Sequence, residues 1–96
     1  MSDKELYKQK FQAQLDEWKA DIEKLKAKSL GAKTDAQLEM NGLIEEIEAK
    51  FKTAGDKLGE ITDAGESAWE SVKASAESAW ESLKSSMHNA AEKFKD

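Results

Sequence analysis

The sequence has no cysteine, no proline and no arginine, and a single histidine. Without cysteine there is neither a disulfide framework nor a thiolate metal site. That suits a reducing compartment, and a cytoplasmic location is expected. Without arginine, and with a net charge of −5, the chain is not expected to bind nucleic acid. Phosphate neutralisation needs a basic patch, and bidentate base reading favours arginine. The lysines between Lys4 and Lys28 are interleaved with acids and read as a solvated mixed-charge face. Long apolar runs are missing as well. The longest run of large apolar residues is Leu43-Ile44, whereas a membrane span needs about 20 residues and a secretory signal roughly 7–15. Neither a leader nor a spanning helix is expected.

β-Branched residues are scarce: Val72, four isoleucines and three threonines. Ala, Glu, Lys, Leu and Gln dominate, and these are strong helix formers. The 96 residues leave room for one domain, and the fold class expected is all-α. The core is thin. Leaving Met1 aside, 14 of the remaining 36 hydrophobic residues are alanine and 22 are large. So few large side chains predict that the isolated chain is marginal and that its apolar surface meets a partner.

A helix start is visible in Ser2-Asp3-Lys4-Glu5, which has capping-box spacing. An apolar stripe follows at Phe11, Leu15, Trp18, Ile22 and Leu25, spaced 4-3-4-3 as in a heptad seam. Pairs such as Glu23/Lys26 and Glu46/Lys50 support the polar faces. The stripe thins over 29–39, where its positions hold Ser29, Ala32, Ala36 and Glu39. One continuous helix over 3–54 is expected, with a break near 29–34 as the alternative; there Thr34 and Gln37 have the spacing of a second capping box. The stripe resumes at Leu43, Ile47, Phe51, Ala54, Leu58 and Ile61. Gly55, Gly59 and Gly65 lie close together here, and Asp63 with Glu66 resembles a new helix start. A glycine in a helix interior costs about 1 kcal/mol relative to alanine, so a bend is expected over 55–63. The seam nevertheless keeps its register through the glycines, which leaves a softened continuous helix open.

The most specific signal is an eleven-residue repeat. Residues 65–75, GESAWESVKAS, are followed by 76–86, AESAWESLKSS, with eight of eleven positions identical. Eleven residues in three turns keep a seam nearly straight or drift it to the right. A repeat helix over 64–95 is expected, with its seam on Trp69, Val72, Ala76, Trp80, Leu83, Met87, Ala91 and Phe94. Large and small side chains alternate along it, a pattern suited to self-packing.

Catalytic and metal chemistry find little support. His88 has only Glu92 one turn away, half of a zinc site at best. The repeat serines Ser67, Ser71, Ser78 and Ser82 lack a base or oxyanion motif. Glu45, Glu46 and Glu48 lack the glycine turn of a calcium loop, and no glycine-rich phosphate motif occurs. No cofactor and no enzymatic activity are expected. The tryptophans Trp69 and Trp80, eleven residues apart, read first as a packed seam. The alternative is a lipid-facing stripe, since tryptophan favours membrane interfaces. Against it, residues 64–96 carry four lysines and six acids, which anionic lipid would repel.

Gln14-Leu15-Asp16-Glu17-Trp18, the Lys/Glu-rich middle and the doubled Ala-Trp-Glu-Ser resemble a family of small bacterial coiled-coil stress-response proteins found in cyanobacteria and proteobacteria. The resemblance covers nearly the whole chain. It implies a cytosolic, non-enzymatic protein induced under stress, with no catalytic residues to carry over. The chain departs from that pattern at Gly31, Gly42, Gly55 and Gly59. A weaker likeness is to desiccation-tolerance proteins with eleven-residue repeats, in which three tryptophans are unusual.

The expected architecture is an extended helical hairpin, two copies of which would pair into a four-helix bundle; a three-helix bundle with turns near Gly31 and Gly59 is the alternative. The expected interaction seam is Phe11, Leu15, Trp18, Ile22, Leu25, Leu43, Ile47, Phe51, Leu58, Ile61, Trp69, Val72, Trp80, Leu83, Met87 and Phe94. The expected function is non-enzymatic stress protection or scaffolding by self-association, with peripheral lipid binding as the alternative. The expected partner is a second copy, then another helical protein; a membrane surface ranks last.

Overall fold

The structure, a computed structural model, describes residues 2–95. Three helices follow one another: α1 (Asp3–Leu30), α2 (Thr34–Asp63) and α3 (Trp69–Lys93), with no strand among the described residues. The all-α class holds, and the path of the chain is that of a three-helix bundle. It is a rod of 51 × 19 × 18 Å. Short connections make α2 antiparallel to its neighbours, so α1 and α3 run the same way. α2 is the central element: α1 and α3 both pack along it, while their own backbones hardly approach each other.

The first helix starts as its sequence predicts. Ser2 is extended at φ −73°, ψ 160°, and its hydroxyl accepts from the Glu5 amide at 3.2 Å. Asp3 and Glu5 in the first turn and Lys28 in the last complement the helix dipole. The helix expected over 3–54 is divided in two, because the chain leaves α1 at Gly31 and re-enters helix after Lys33. Ser29, Ala32 and Ala36 offer no large side chain to hold a continuous seam there. Ser29 is buried instead, and its hydroxyl donates across the turn to Asn41 Oδ1 at 2.7 Å. The capping box expected at Thr34 and Gln37 does not form, since Lys33 is the cap residue and Thr34 is already helical.

The bend expected over 55–63 is helix. Gly42, Gly55 and Gly59 all lie inside α2, and no described residue has a positive φ. Magnitudes explain this. Burial of Leu58 and Ile61, which flank Gly59 and are 8% and 0% exposed, contributes about 1.5–3 kcal/mol each. Two helical glycines cost about 2 kcal/mol together. The turn falls at 64–68, where Ala64 leaves the helix at ψ 143° and Gly65 O accepts from the amides of Ala68 and Trp69 at 3.0 and 3.1 Å. The helix start expected at Asp63 and Glu66 is also displaced: Asp63 ends α2 and Ala68 precedes α3.

α2 has no basic residue in its last turn. Lys4 of α1 supplies the missing charge from across the bundle. Lys4 is buried as a residue, and its ammonium donates to Thr62 O at 3.3 Å and to Ala64 O. It thereby covers carbonyls that a helix end leaves unpaired and ties the start of α1 to the α2–α3 turn.

Candidate functional site: the groove between α1 and α3

Every expected seam residue lies inside this bundle or at its edge. Phe11, Leu15, Trp18, Ile22, Ile47, Leu58, Ile61, Trp69, Leu83, Met87 and Phe94 are buried, and Leu25, Leu43, Phe51, Val72 and Trp80 are partly buried against them. The seam read from sequence as an interface between molecules therefore closes largely within one chain. Folding the chain twice brings its three stretches together, so most of the seam finds cover within the chain.

Sequence reasoning missed several members of this core. Met40 and Ile44 are 8% and 4% exposed, although the seam ran through Leu43. A central helix with a neighbour on each side needs a broader apolar face than the two positions per heptad of a coiled coil. Ala90 rather than Ala91 is buried in α3. Tyr7 was also missed. It stands one turn before Phe11 and extends the same stripe, a signal present in the spacing.

The side of the bundle between α1 and α3 is different in kind. The two backbones are held apart, and aromatic rings bridge them. Trp80 stands edge-on to Phe11, with centroids 4.9 Å apart, and to Trp18, 5.4 Å away. Tyr7 packs on Phe11 and on Trp69, both at 5.9 Å. The two repeat tryptophans are thus not equivalent. Trp69 is buried at the start of α3, and Trp80 sits half-buried near the middle of the rod.

Two open depressions follow this line. One, of about 550 Å³, has Tyr7, Phe11 and Trp80 as its floor and Lys10, Lys73, Glu77, Glu81 and Lys84 around it. The other, of about 470 Å³, is lined by Trp18, Leu25, Met87 and Ala91 with Asp21, Lys24, Lys84 and His88. Together they make a groove with an apolar aromatic floor and a rim of both signs. The Lys73 ammonium lies over the rings of Tyr7 and Trp69, 5.5 and 5.6 Å from their centroids, a cation–π arrangement.

Tyr7 is the one unsatisfied group on the groove floor. Its hydroxyl is buried and has no hydrogen-bond partner among the described residues. Burial, reinforced by the Glu77 charge, pushes its pKa up to about 12, so it stays a neutral donor near neutral pH. Elsewhere the surface is laced with ion pairs. Lys26 of α1 meets Glu48 of α2 at 2.9 Å as well as Glu23 at 3.6 Å, and the hydrogen bond to Glu48 is the main reason its pKa is raised. Lys93 of α3 meets Glu39 of α2 at 3.3 Å, and Lys50 of α2 donates to the Ser86 hydroxyl at 2.6 Å.

Among the described residues no cluster of three or more His, Cys, Asp or Glu is placed to hold a metal ion, and no helix is long and apolar enough to cross a membrane. His88 lies on the groove rim. No family model, no curated protein and no solved structure matches this chain.

Proposed function

We propose that this protein is a non-enzymatic helical interaction protein that acts in stress protection or scaffolding, by associating with itself or with other helical proteins through the α1–α3 face. One observation carries the reading. α1 and α3 meet through the rings of Phe11, Trp18 and Trp80 rather than through close-packed backbones. The face is thus an unfinished layer of a bundle, with room for the side chains of a further helix. The resemblance to coiled-coil stress-response proteins agrees with a protective role and a cytoplasmic site of action.

The test is protection of a client. A heat-labile enzyme warmed with a molar excess of this protein should scatter less light than the enzyme alone. Unchanged aggregation at every ratio would remove the protective reading.

A second reading is peripheral contact with a lipid surface. It is favoured by Leu30 and Leu38, 78% and 67% exposed, on either side of the turn that carries Lys33. Co-sedimentation with anionic vesicles, lost on replacing both leucines with serine, is the expected result. No sedimentation of the parent protein refutes it.

A further inference from the structure

The turn between α2 and α3 interrupts the helix but not its phase. Leu58, Trp69 and Trp80 stand eleven residues apart, and so do Ile61, Val72 and Leu83. All six are buried or half-buried, the first of each set in α2 and the others in α3. Eleven residues make three helical turns. One apolar face therefore runs through both helices as if residues 64–68 were helical too. A loop that only reverses the chain has no reason to keep that phase.

The break itself is narrow. The helical bonds of α2 reach the Ala64 amide, and Gly65 O already accepts from the amides of Ala68 and Trp69. Between them the amides of Gly65, Glu66 and Ser67 have no partner among the described residues. No residue of the turn is proline, and none has a positive φ. With Ala64, now at ψ 143°, and Gly65 turned into the helical region, those three amides meet the carbonyls of Ile61, Thr62 and Asp63. Ala68 passes in the same way to Ala64 O. Two of these acceptors are occupied in the bent chain. Lys4 donates to Thr62 O and Ala64 O, the carbonyls that a straight helix assigns to Glu66 and Ala68. The bend and the straight helix thus compete for the same acceptors, and Lys4 holds the bend.

We propose that residues 64–68 are a hinge latched by Lys4, and that its release joins α2 and α3 into one helix in a dimer that exchanges α3. That helix runs from Thr34 to Lys93 and is about 90 Å long. Opening strips buried side chains of α3, Ala76 and Leu83 among them, from the rest of the core. The α3 of a second copy is the surface already shaped for the vacated site, so exchange restores the α2–α3 contacts between chains. The register permits it. The neighbouring pairs Glu39–Lys93, Met40–Phe94 and Lys50–Ser86 have their midpoints at residues 66, 67 and 68. Two straight helices crossing antiparallel on a two-fold axis at residue 67 bring the same residues together. Gly65, Ser67 and Ala68 are small enough for close approach at the crossing. The α1–α3 face takes no part, so this exchange is separate from the association proposed above.

The test reads which chain each α3 packs on. Lys50→Cys with Ser86→Cys, in a chain with no other cysteine, sets two thiols across α2 and α3 for a short bismaleimide. A link within one chain keeps the 10.7 kDa mass in denaturant, and an exchanged dimer gives links between chains at twice that mass. The interchain share across a dilution series gives the association constant. In this background Gly65→Ala should raise it about tenfold, because alanine favours a helix interior and is poorer than glycine at a helix start. The added Cβ meets nothing within 4 Å. Lys4→Ala should raise it to a similar extent. Glu66→Pro should abolish interchain links: proline suits the position after Gly65 in the bent chain and breaks the straight helix. Circular dichroism checks that each variant is helical; if Lys4→Ala is not, Gly65→Ala decides. A folded Gly65→Ala or a folded Lys4→Ala without a rise overturns the proposal, and so do interchain links that persist in Glu66→Pro. Dimers joined through the α1–α3 face carry links within a chain only, so failure here leaves that association standing.

Discussion

Replacing Gly42, Gly55 and Gly59 together with alanine should stabilise the protein. All three lie inside α2 with a backbone that alanine adopts freely. A Cβ built on any of them meets nothing within 4 Å. The new methyl groups therefore neither clash nor fill a void, and the effect comes from the backbone. Alanine restricts the unfolded chain more than glycine does, by about 0.4–1 kcal/mol per site. Gly42 is far enough from the other two to act independently. Gly55 and Gly59, one turn apart, share the wall of a cleft on the α1–α2 side, and some coupling is expected between them. The triple variant should gain about 1–3 kcal/mol. For a domain of this size each kcal/mol moves Tm by about 4–8 °C, so the rise should be roughly 5–20 °C. Urea unfolding followed by circular dichroism should show a higher midpoint with the slope unchanged. A triple variant no more stable than the parent refutes the reasoning. It would mean that these helix faces are not open, and that something approaches the α2 backbone as closely as only glycine permits.

Four further predictions address single groups. Tyr7→Phe removes a buried hydroxyl that has no partner, so stability near neutral pH should hold or rise by up to about 1 kcal/mol; a clear loss would show that the hydroxyl is bonded after all. Because burial raises the Tyr7 pKa from 10.0 to about 12, its neutral form is the one the fold favours. That contribution is complete below pH 10 and lost as pH rises towards 12. Tyr7 is the only tyrosine, so tyrosinate absorbance should titrate late in the folded protein and near pH 10 in urea; a folded-state midpoint at 10 contradicts the buried placement. Lys4→Ala uncovers Thr62 O and Ala64 O at the end of α2 and should cost about 1–3 kcal/mol in urea unfolding, whereas no change would make the tie incidental. Leu83→Ala empties a site that is 0% exposed and should cost about 2–5 kcal/mol; a loss below 1 kcal/mol would place Leu83 outside the core.

Much of this molecule is written locally. The absence of proline, the scarcity of β-branched residues and the abundance of Ala, Glu, Lys and Leu determine helix, because each acts within a turn or two. The capping serine at Ser2 and the heptad spacing from Phe11 to Ile22 are equally local, and the sequence alone was enough to find them. The ends of α2 were decided by tertiary structure. Gly55 and Gly59 argue for a bend on propensity alone, and Leu58 and Ile61 overrule them only because α1 and α3 stand ready to bury those side chains. Lys4 is one more lysine in a polar stretch until the α2–α3 turn comes to rest against it, 58 residues away in sequence. The seam shows the same division. Its members were legible as apolar positions, but periodicity states that a face must be covered and not by what. Two turns, near 32 and 66, let one chain cover most of its own seam. They leave only half-covered the strip where aromatic rings hold α1 and α3 too far apart for their backbones to close.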